Sequence, residues 1–312
     1  MRYTAADMVF LIPTKDRPNK LNDLLASIVE QDSLPGRILV IDGGKSVEDV
    51  VIKYKAQLPI EWHQCLPPGQ IRQRNYGISL IKEHKLVAFL DDDLVFEPGA
   101  LQAMVAMWNA VEPETAGVGF NLINVANTPP TWKERLLLIK GPRPGQVLPS
   151  GHNTAFTSLT DDIKTDWLGG GYTVWRKAIL DQFSQAEVTT KWAIGEDLLF
   201  SYPIGLRYPL YACAKARVRH EHVADQAPSL ERIRLAVYKT AIVSFILAYQ
   251  QPALSSFAAL WSIAASLLLY SVNELFHWRK ERWQVICGLF NALVTALNIV
   301  AGRVTPEQAQ ED

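Results

Sequence analysis

The 312-residue chain lacks the features that identify several common classes of protein. Its three cysteines, Cys65, Cys213 and Cys287, are far apart and odd in number, which excludes a disulfide framework and zinc-site spacing. This favours a reducing, cytosolic setting. The net charge of −1 gives no general attraction to nucleic acid, so we expect no nucleic-acid partner. The first residues also lack the apolar core that is typical of a secretory signal peptide.

Glycine-rich phosphate-binding motifs are absent as well. The chain contains no Gly-x-Gly-x-x-Gly fingerprint and no Walker loop, which argues against a dinucleotide-dependent enzyme or an NTPase. We find no internal repeat and no low-complexity segment. Hydrophobic residues make up 48% and charged residues 20%, so the composition is that of a globular protein with an apolar lean.

The first ninety residues alternate between short apolar runs and segments of helical periodicity. We predict strands at residues 9–12, 38–41, 60–64 and 86–90. Helices are predicted between them, at residues 18–31, 47–57 and 71–83. This order indicates an α/β fold with a doubly wound, mainly parallel sheet that is flanked by helices.

Three adjacent carboxylates, Asp91, Asp92 and Asp93, directly follow the last of these strands. Adjacent acids repel each other and resist burial unless a positive charge lies among them. A hard divalent cation prefers oxygen ligands and would supply that charge at the sheet edge where open α/β folds bind their ligands. The sequence therefore predicts a metal and phosphate site here; a solvated acidic turn is the alternative.

Other polar residues recur where strands of the predicted sheet end. Thr14 and Arg17 follow the first strand, Asp42 ends the second, and Arg72 and Arg74 open the helix before the fourth. Because parallel strands share one carboxyl edge, these side chains are expected to line one crevice. A nucleoside diphosphate needs such acids for hydroxyl groups and such cations for phosphate. Each residue alone has a simpler alternative as a helix cap or a surface charge.

Two further motifs lie later in the chain, beyond a Pro- and Gly-rich segment at 126–165 that is typical of a lid or binding loop. Trp167-Leu168 is followed by three glycines, the first two being Gly169 and Gly170, which suit close backbone approach to a ligand or a plain loop. Glu196 and Asp197 precede an apolar helical segment, and a helix N-terminus favours the ionised carboxylate. Asp197 is thus a candidate general base, with ordinary capping as the alternative.

A His-x-His pair, His220 and His222, ends a predicted strand that begins near Tyr208. Alternate residues of a strand point to one face, so one of these rings is a candidate metal ligand. A surface or core histidine is the alternative.

Seven stretches together resemble family-2 glycosyltransferases, whose nucleotide-binding half has the GT-A fold. They follow the family's order and approximate spacing within residues 8–222: Ile12-Pro13-Thr14 with Arg17, Val40-Ile41-Asp42, Arg72-Gln73-Arg74-Asn75-Tyr76-Gly77, Phe89-Leu90-Asp91-Asp92-Asp93 with Pro98, Trp167-Leu168-Gly169-Gly170-Gly171, Gly195-Glu196-Asp197 and Val218-Arg219-His220.

The resemblance implies a role for most of these residues. The implied donor-binding residues are Thr14, Arg17, Asp42, one of Arg72 and Arg74, Asp91 and Asp92. The acidic trio resembles the Asp-x-Asp motif, so Asp93 and Asp91 would bind Mg²⁺ or Mn²⁺, with His220, or His222 as the fallback, completing the metal shell. Asp197 resembles the catalytic base, and the residues that would border the acceptor are Trp167, Gly169, Gly170 and Glu196.

Two alternatives to a transferase stay open at this point. Residues 89–95 also resemble the nucleophile motif of haloacid-dehalogenase-like phosphohydrolases, in which Asp91 would be phosphorylated and Asp93 would be the acid/base. That motif normally lies on the first strand of its domain, whereas three strands precede it here, and no convincing downstream lysine and paired acids follow. The other alternative is a non-catalytic scaffold that binds sugar nucleotides at a membrane.

The last third of the chain is predicted to be helical and membrane-associated. A helix over 228–250 precedes two uncharged segments, 253–272 and 283–302, each just long enough to span a bilayer core. In a two-helix transmembrane hairpin the basic linker 277–282 would lie outside the cytosol, against the positive-inside rule. We therefore predict helices on or dipping into the inner leaflet, with the hairpin and a homo-oligomerisation surface as alternatives.

The resemblance and the helical last third together predict two domains, a GT-A glycosyltransferase domain at 1–225 and a helical membrane-associating region at 226–312. The resemblance implies inverting, metal-dependent transfer of a hexosyl or deoxyhexosyl group from a nucleotide-diphosphate sugar to a hydroxyl of a glycan acceptor. Membrane attachment suggests that this acceptor is lipid-linked. We expect this polysaccharide-building step on the cytoplasmic side of the inner membrane.

Overall fold

The computed structural model describes residues 2–187, 194–221, 228–274 and 279–311. In this part the chain forms a 3₁₀ turn at Ala5–Asp7, nine β-strands and eleven α-helices. The strands are β1 Met8–Thr14, β2 Arg37–Asp42, β3 Ile60–Gln64, β4 Leu86–Leu90, β5 Leu94–Phe96, β6 Gly117–Leu122, β7 Ile163–Thr165, β8 Tyr172–Arg176 and β9 Leu210–His220. The helices are α1 Pro18–Val29, α2 Glu48–Tyr54, α3 Gln70–Ser79, α4 Ala100–Ala110, α5 Trp132–Leu136, α6 Lys177–Leu180, α7 Glu196–Gly205, α8 Leu230–Gln250, α9 Ser256–Glu274, α10 Lys280–Val300 and α11 Pro306–Glu311.

Four strands in the order β3-β2-β1-β4 form the parallel half of one nine-stranded sheet. β1 and β4 are buried along their whole length, as expected for strands that are covered on both faces. β3 and β4 have the predicted bounds, whereas β1 continues through Pro13 to Thr14. In register, Thr14 lies beside Asp42, so the carboxyl ends of β1 and β2 share one edge as predicted.

Helices cover both faces of this parallel half. On one face, Leu24 and Leu25 of α1 join the main apolar core together with Phe10 of β1. On the other face α3 lies so close to the sheet that a Cβ on Gly77 would be 2.4 Å from Cδ1 of Leu11. This arrangement confirms the predicted doubly wound α/β organisation of the first four strands.

The second half of the sheet is mixed, so the prediction of a mainly parallel sheet holds for the first four strands only. β8 runs antiparallel to both β4 and β6, and β9 runs parallel to β6. β5 and β7 are short antiparallel additions to β9. Long chain segments separate these partners, and sequence periodicity does not determine the direction of such distant pairings.

The contacts divide the chain into two compact units. The first comprises 1–127, 156–187 and 200–222, and the second comprises 128–155, 188–199 and 223–312. The second unit thus includes much of the segment that was predicted to be a lid or binding loop, and this segment contains the helix α5. The predicted boundary between independent domains at 225/226 stays a prediction.

In the second unit, α8, α9 and α10 share an apolar core. α8 and α10 run in the same direction side by side. Near their starts, Gly288 is close to α8, because a Cβ there would be 2.7 Å from the carbonyl oxygen of Arg234. Further along both helices the Tyr238 hydroxyl lies 3.4 Å from Oγ1 of Thr295. By length and composition, all three helices are apolar enough to cross a membrane, which permits membrane association.

Candidate active site

The three consecutive aspartates lie at the carboxyl end of β4, in the turn that leads to β5. The backbone N–H of Asp91 donates a hydrogen bond of 2.8 Å to the carbonyl oxygen of Gly171, just before β8. A Cβ on Gly171 would lie 2.0 Å from the Asp91 carboxyl group, so a side chain there would displace this carboxylate. Gly171 is therefore glycine because the acidic turn and the adjacent strand approach each other so closely.

Two side chains from the first turns of α3 fix the Asp91 carboxylate. Its Oδ1 accepts hydrogen bonds from Nε2 of Gln70 at 2.9 Å and from Nη2 of Arg74 at 3.1 Å. The Arg74 side chain is only 5% exposed, and its guanidinium lies over the ring of Phe89, 5.6 Å from the centroid. α3 thus supplies a buried positive charge to the acidic turn.

Asp92 is buried and is held by residues that follow β1. Its carboxylate accepts hydrogen bonds from Oγ1 of Thr14 at 2.7 Å and from Nη1 of Arg17 at 3.1 Å. Burial raises the pKa of Asp92, although the hydrogen bond from Thr14 and the charge of Arg17 oppose that shift. Asp92 therefore ties the end of β1 to the acidic turn.

Asp93 meets His220, the last residue of β9. Oδ1 of Asp93 lies 2.7 Å from Nε2 of His220, and Oδ2 lies 3.3 Å from Nη1 of Arg17. The pairing of β5 with β9 brings the histidine there, because Leu94 lies opposite His220 in register. Burial lowers the pKa of His220, but the hydrogen bond to Asp93 and the two aspartate charges outweigh it, so the net pKa is raised.

Asp91, Asp93 and His220 form a group that fits a divalent cation. One ligand atom from each of the three residues lies within 4.8 Å of the other two. Two carboxylates and an imidazole are suitable donors for Mn²⁺, and the carboxylates alone suit Mg²⁺. These are the three residues for which the sequence predicted a metal-binding role.

Asp42 is fully buried and organises the loop after β2. Its carboxylate accepts hydrogen bonds from the N–H groups of Gly44 and Val47, at 2.9 and 3.0 Å, and from Nε1 of Trp62 at 3.2 Å. The buried amide of Gln73 joins the same edge, because its Nε2 donates to the carbonyl oxygens of Thr14 and Ile41, at 2.9 and 2.6 Å. The predicted contact of Asp42 with a nucleoside stays a prediction.

The structure separates the two arginines that the sequence left as alternatives. Arg72 points to Glu187, with Nε 2.8 Å from Oε2, and both side chains are more than one-third exposed. Arg74 instead bonds to Asp91, as described above. The sequence motifs gave no role to Gln70 or Gln73, although both lie in the first turns of α3, directly after β3.

The residues predicted to border the acceptor lie in different settings. Trp167 is 6% exposed and packs edge-on against Phe156, with ring centroids 5.4 Å apart. Gly169 is buried close to Tyr172, since a Cβ on Gly169 would be 2.5 Å from that ring, and Gly170 is half-buried. Their contacts with an acceptor stay predictions.

Glu196 and Asp197 begin α7, as predicted, and both are half-buried. Oδ1 of Asp197 accepts a hydrogen bond of 2.8 Å from the N–H of Leu198. Both residues belong to the second compact unit, and the role of Asp197 as base stays a prediction. His222, the fallback metal ligand, lies outside the described residues.

The parallel half of the sheet and its acidic turn lie within a part of the chain that matches a known family of transferases. The sequence profile described as Glycosyl transferase family 2 matches residues 9–180, which is more than half of the chain. The chain therefore belongs to glycosyl transferase family 2, as the sequence motifs predicted. Family membership also argues against the phosphohydrolase alternative.

Solved structures show the same fold at low sequence identity. S. aureus TarS 1-349, crystallised with UDP-GlcNAc, is 17% identical, and the match covers 97% of this chain and 84% of that fragment with a TM-score of 0.53. The mannosyltransferase PcManGT from Pyrobaculum calidifontis, crystallised with GDP-Man and Mn²⁺, is 14% identical, with 93% and 87% coverage and a TM-score of 0.55. The predicted GT-A-like fold with C-terminal helices is thereby confirmed. No curated protein sequence matches this chain significantly.

Proposed function

We propose that this protein is an inverting, metal-dependent glycosyltransferase that moves a hexosyl or deoxyhexosyl group from a nucleotide-diphosphate sugar to a hydroxyl of a glycan acceptor. The observation on which this proposal rests is the convergence of Asp91, Asp93 and His220 at the carboxyl edge of the sheet. The two structural neighbours support the donor class, because they were crystallised with UDP-GlcNAc and with GDP-Man and Mn²⁺.

Asp91, Asp93 and His220 would hold Mg²⁺ or Mn²⁺. When bound, such an ion offsets negative charge on the departing diphosphate. Arg17 and Arg74 already lie against the acidic turn and would add positive charge beside the phosphates. Of the two arginines left open by the sequence, Arg74 is the better donor-binding candidate because it is buried at the turn.

The loops after β1 and β2 would bind the nucleoside. Thr14 and Asp42 lie side by side there, and Gln73 holds both strand ends through their carbonyl oxygens. Buried, hydrogen-bonded groups of this kind keep a binding edge in one geometry and lower the cost of ordering it around a ligand.

Asp197 would act as the general base. The N-terminus of α7 favours the ionised carboxylate, which suits a group that accepts a proton. In the proposed step the acceptor oxygen bonds to the anomeric carbon as the bond to the diphosphate breaks, and the hydroxyl proton passes to Asp197. A single displacement of this kind inverts the anomeric configuration.

We further propose that the helical second unit binds the cytoplasmic face of the inner membrane without crossing it. α8 lies beside α10, so these helices would cross a bilayer together or not at all. Polar groups from other segments of the second unit contact α8. Nζ of Lys239 donates a hydrogen bond to the carbonyl oxygen of Gln310 at 2.8 Å, and Oγ of Ser244 lies 3.2 Å from Nδ1 of His152. Irregular backbone and buried lysine at membrane depth are costly, which favours peripheral association. A lipid-linked acceptor would suit this location.

The proposed function is tested by replacing Asp93. Asp93→Asn keeps the size of the side chain but removes a charged metal ligand, and we expect donor turnover with Mn²⁺ to fall by roughly a hundredfold or more. The matched control is Asp32→Asn, which changes an exposed aspartate remote in sequence from the motif. Near-normal turnover in a folded Asp93→Asn protein would contradict the metal assignment. Donor binding without turnover in the unmodified protein would favour the non-catalytic scaffold.

A further inference from the structure

The second unit exposes an uncharged apolar stripe along α9. Phe257 is 82% exposed, Trp261 45% and Leu268 66%, and these residues recur at helical spacing on one side. α10 has a similar stripe, in which Phe290 is 56% exposed and Leu297 51%. Large exposed apolar side chains repeated along two helices in this way mark an interaction site.

The short helix α5 adds to this surface. Its Trp132 is 70% exposed and its Leu136 57%. Nε1 of Trp261, in the α9 stripe, donates a hydrogen bond of 3.0 Å to the carbonyl oxygen of Leu136. α5 is therefore attached to α9 at a residue of the stripe, and its two large apolar side chains add exposed apolar surface to the same unit.

The charge around α5 indicates which occupant this surface fits. Lys133 and Arg135 are exposed between the two apolar residues, and Nζ of Lys133 lies 5.7 Å from the centroid of the Trp132 ring. The acid of this helix, Glu134, is engaged in a capping box with Thr131. Tryptophan and leucine beside exposed lysine and arginine suit the headgroup region of an anionic bilayer.

A cavity beside the α10 stripe is also compatible with a lipid occupant. It has a volume of about 410 Å³ and lies between α8 and α10, with the apolar side chains of Leu235, Phe290 and Val294 in its wall. Polar groups line the rest of the same cavity, from Glu231, Arg234, Tyr238, Asn291 and Thr295. Because polar and apolar groups share its lining, the cavity suits an amphipathic molecule such as a lipid, which offers both kinds of group.

We propose that α5, with Trp132 and Leu136 as its apolar contacts and Lys133 and Arg135 as its charged contacts, is the element that attaches the second unit to anionic lipid. This inference rests on the membrane association proposed above and identifies the residues responsible for it. α5 enters the headgroup region beside the α9 stripe, and the two cations bind lipid phosphate.

The test is flotation of the full chain with phosphatidylcholine vesicles that contain or lack phosphatidylglycerol. Trp132→Ser/Leu136→Ser should weaken binding at least tenfold, because burying one large apolar side chain is worth roughly that factor or more. Lys133→Gln/Arg135→Gln should weaken binding by about fivefold for each charge, and only where phosphatidylglycerol is present. The control is Ile52→Ser, which alters a residue of α2 that is 54% exposed and should leave flotation unchanged.

Several results would overturn the inference. Equal flotation of the Trp132→Ser/Leu136→Ser variant and the unmodified protein would remove α5 as the anchor while leaving membrane association intact. Vesicle binding of equal strength with and without phosphatidylglycerol would refute the role of Lys133 and Arg135. A stable dimer by light scattering, with no flotation, would assign the surface to a second copy. Binding of UDP or GDP with Mn²⁺, measured without vesicles, tests the transferase site separately, and the α5 variants should retain it.

Discussion

Replacing Gly171 by alanine tests whether the acidic turn must keep its observed geometry. A Cβ at this position would lie 2.0 Å from the Asp91 carboxyl group, far inside ordinary contact distance, which begins near 3.4 Å. The carboxylate, or the loop before β8, must therefore move by about 1 Å or more. The hydrogen bond from the Asp91 N–H to the Gly171 carbonyl leaves the backbone little freedom to separate.

A displacement of this size should affect metal binding and turnover more than stability. A misplacement of about 1 Å at a reacting centre costs on the order of a hundredfold in rate. Overpacking costs about 1–3 kcal/mol of folding free energy, which a stable protein tolerates. Calorimetric titration of Mn²⁺ in the presence of UDP or GDP should show an affinity that is lower by at least about tenfold.

The matched control is Gly69→Ala, at the N-cap of α3 in the same unit. A Cβ there would meet only Cβ of Arg72, at 3.5 Å, and the φ of 176° is open to any residue. We expect near-normal Mn²⁺ affinity and turnover for this variant. Unchanged Mn²⁺ affinity and turnover in Gly171→Ala would refute the view that Asp91 has to stay where it is observed.

Three further predictions follow from individual contacts. Arg74→Ala should weaken binding of UDP or GDP with Mn²⁺ by roughly tenfold, because it removes a buried charge at Asp91. Arg72→Ala should change the dissociation constant little. A larger loss of affinity in Arg72→Ala than in Arg74→Ala would make Arg72 the donor-binding arginine. Asp197→Asn should bind donor normally and turn over at least about a hundredfold more slowly in steady-state assays, and normal turnover would remove Asp197 as base. The Arg37 guanidinium lowers the pKa of Glu61 to about 2 from the ordinary 4.5. The ion pair therefore stabilises the folded protein fully above pH 4.5, and this contribution is lost as the pH falls toward 2. Glu61→Gln should therefore lower the free energy of unfolding, measured with urea at pH 7, by about 1 kcal/mol, since the pair is partly exposed. The difference between the variant and the unmodified protein should be smaller at pH 3.5. A difference that does not change with pH would contradict this prediction.

Local patterns in the sequence were sufficient to predict the parallel half of the sheet. Buried parallel strands appear as short apolar runs, so β3 and β4 were predicted with their observed bounds. Asp42 and Asp91 follow such runs, and the shared carboxyl edge of parallel strands then predicts that they lie on one side of the molecule. This reasoning needs no knowledge of distant contacts.

Features that depend on pairings between distant segments could not be predicted from local sequence patterns. β5 is only three residues long, and its register with β9, which sets His220 beside Asp93, joins segments more than a hundred residues apart. The choice between Arg72 and Arg74 depends on the rotation of α3, which the apolar periodicity of that polar helix leaves undefined. The helix α5 was not predicted either. It lies in a segment rich in proline and glycine, and its five residues are too few to show a helical periodicity.

The most direct test of the central proposal is a thermal-shift screen of UDP-, GDP- and dTDP-sugars, each with and without Mn²⁺. A ligand that binds only the folded protein raises the melting temperature by mass action. We expect one nucleotide class to raise the melting temperature only when Mn²⁺ is present, and this shift to disappear in Asp93→Asn. A shift with no metal dependence, or one that Asp93→Asn retains in full, would contradict a metal and sugar-nucleotide site at Asp91, Asp93 and His220.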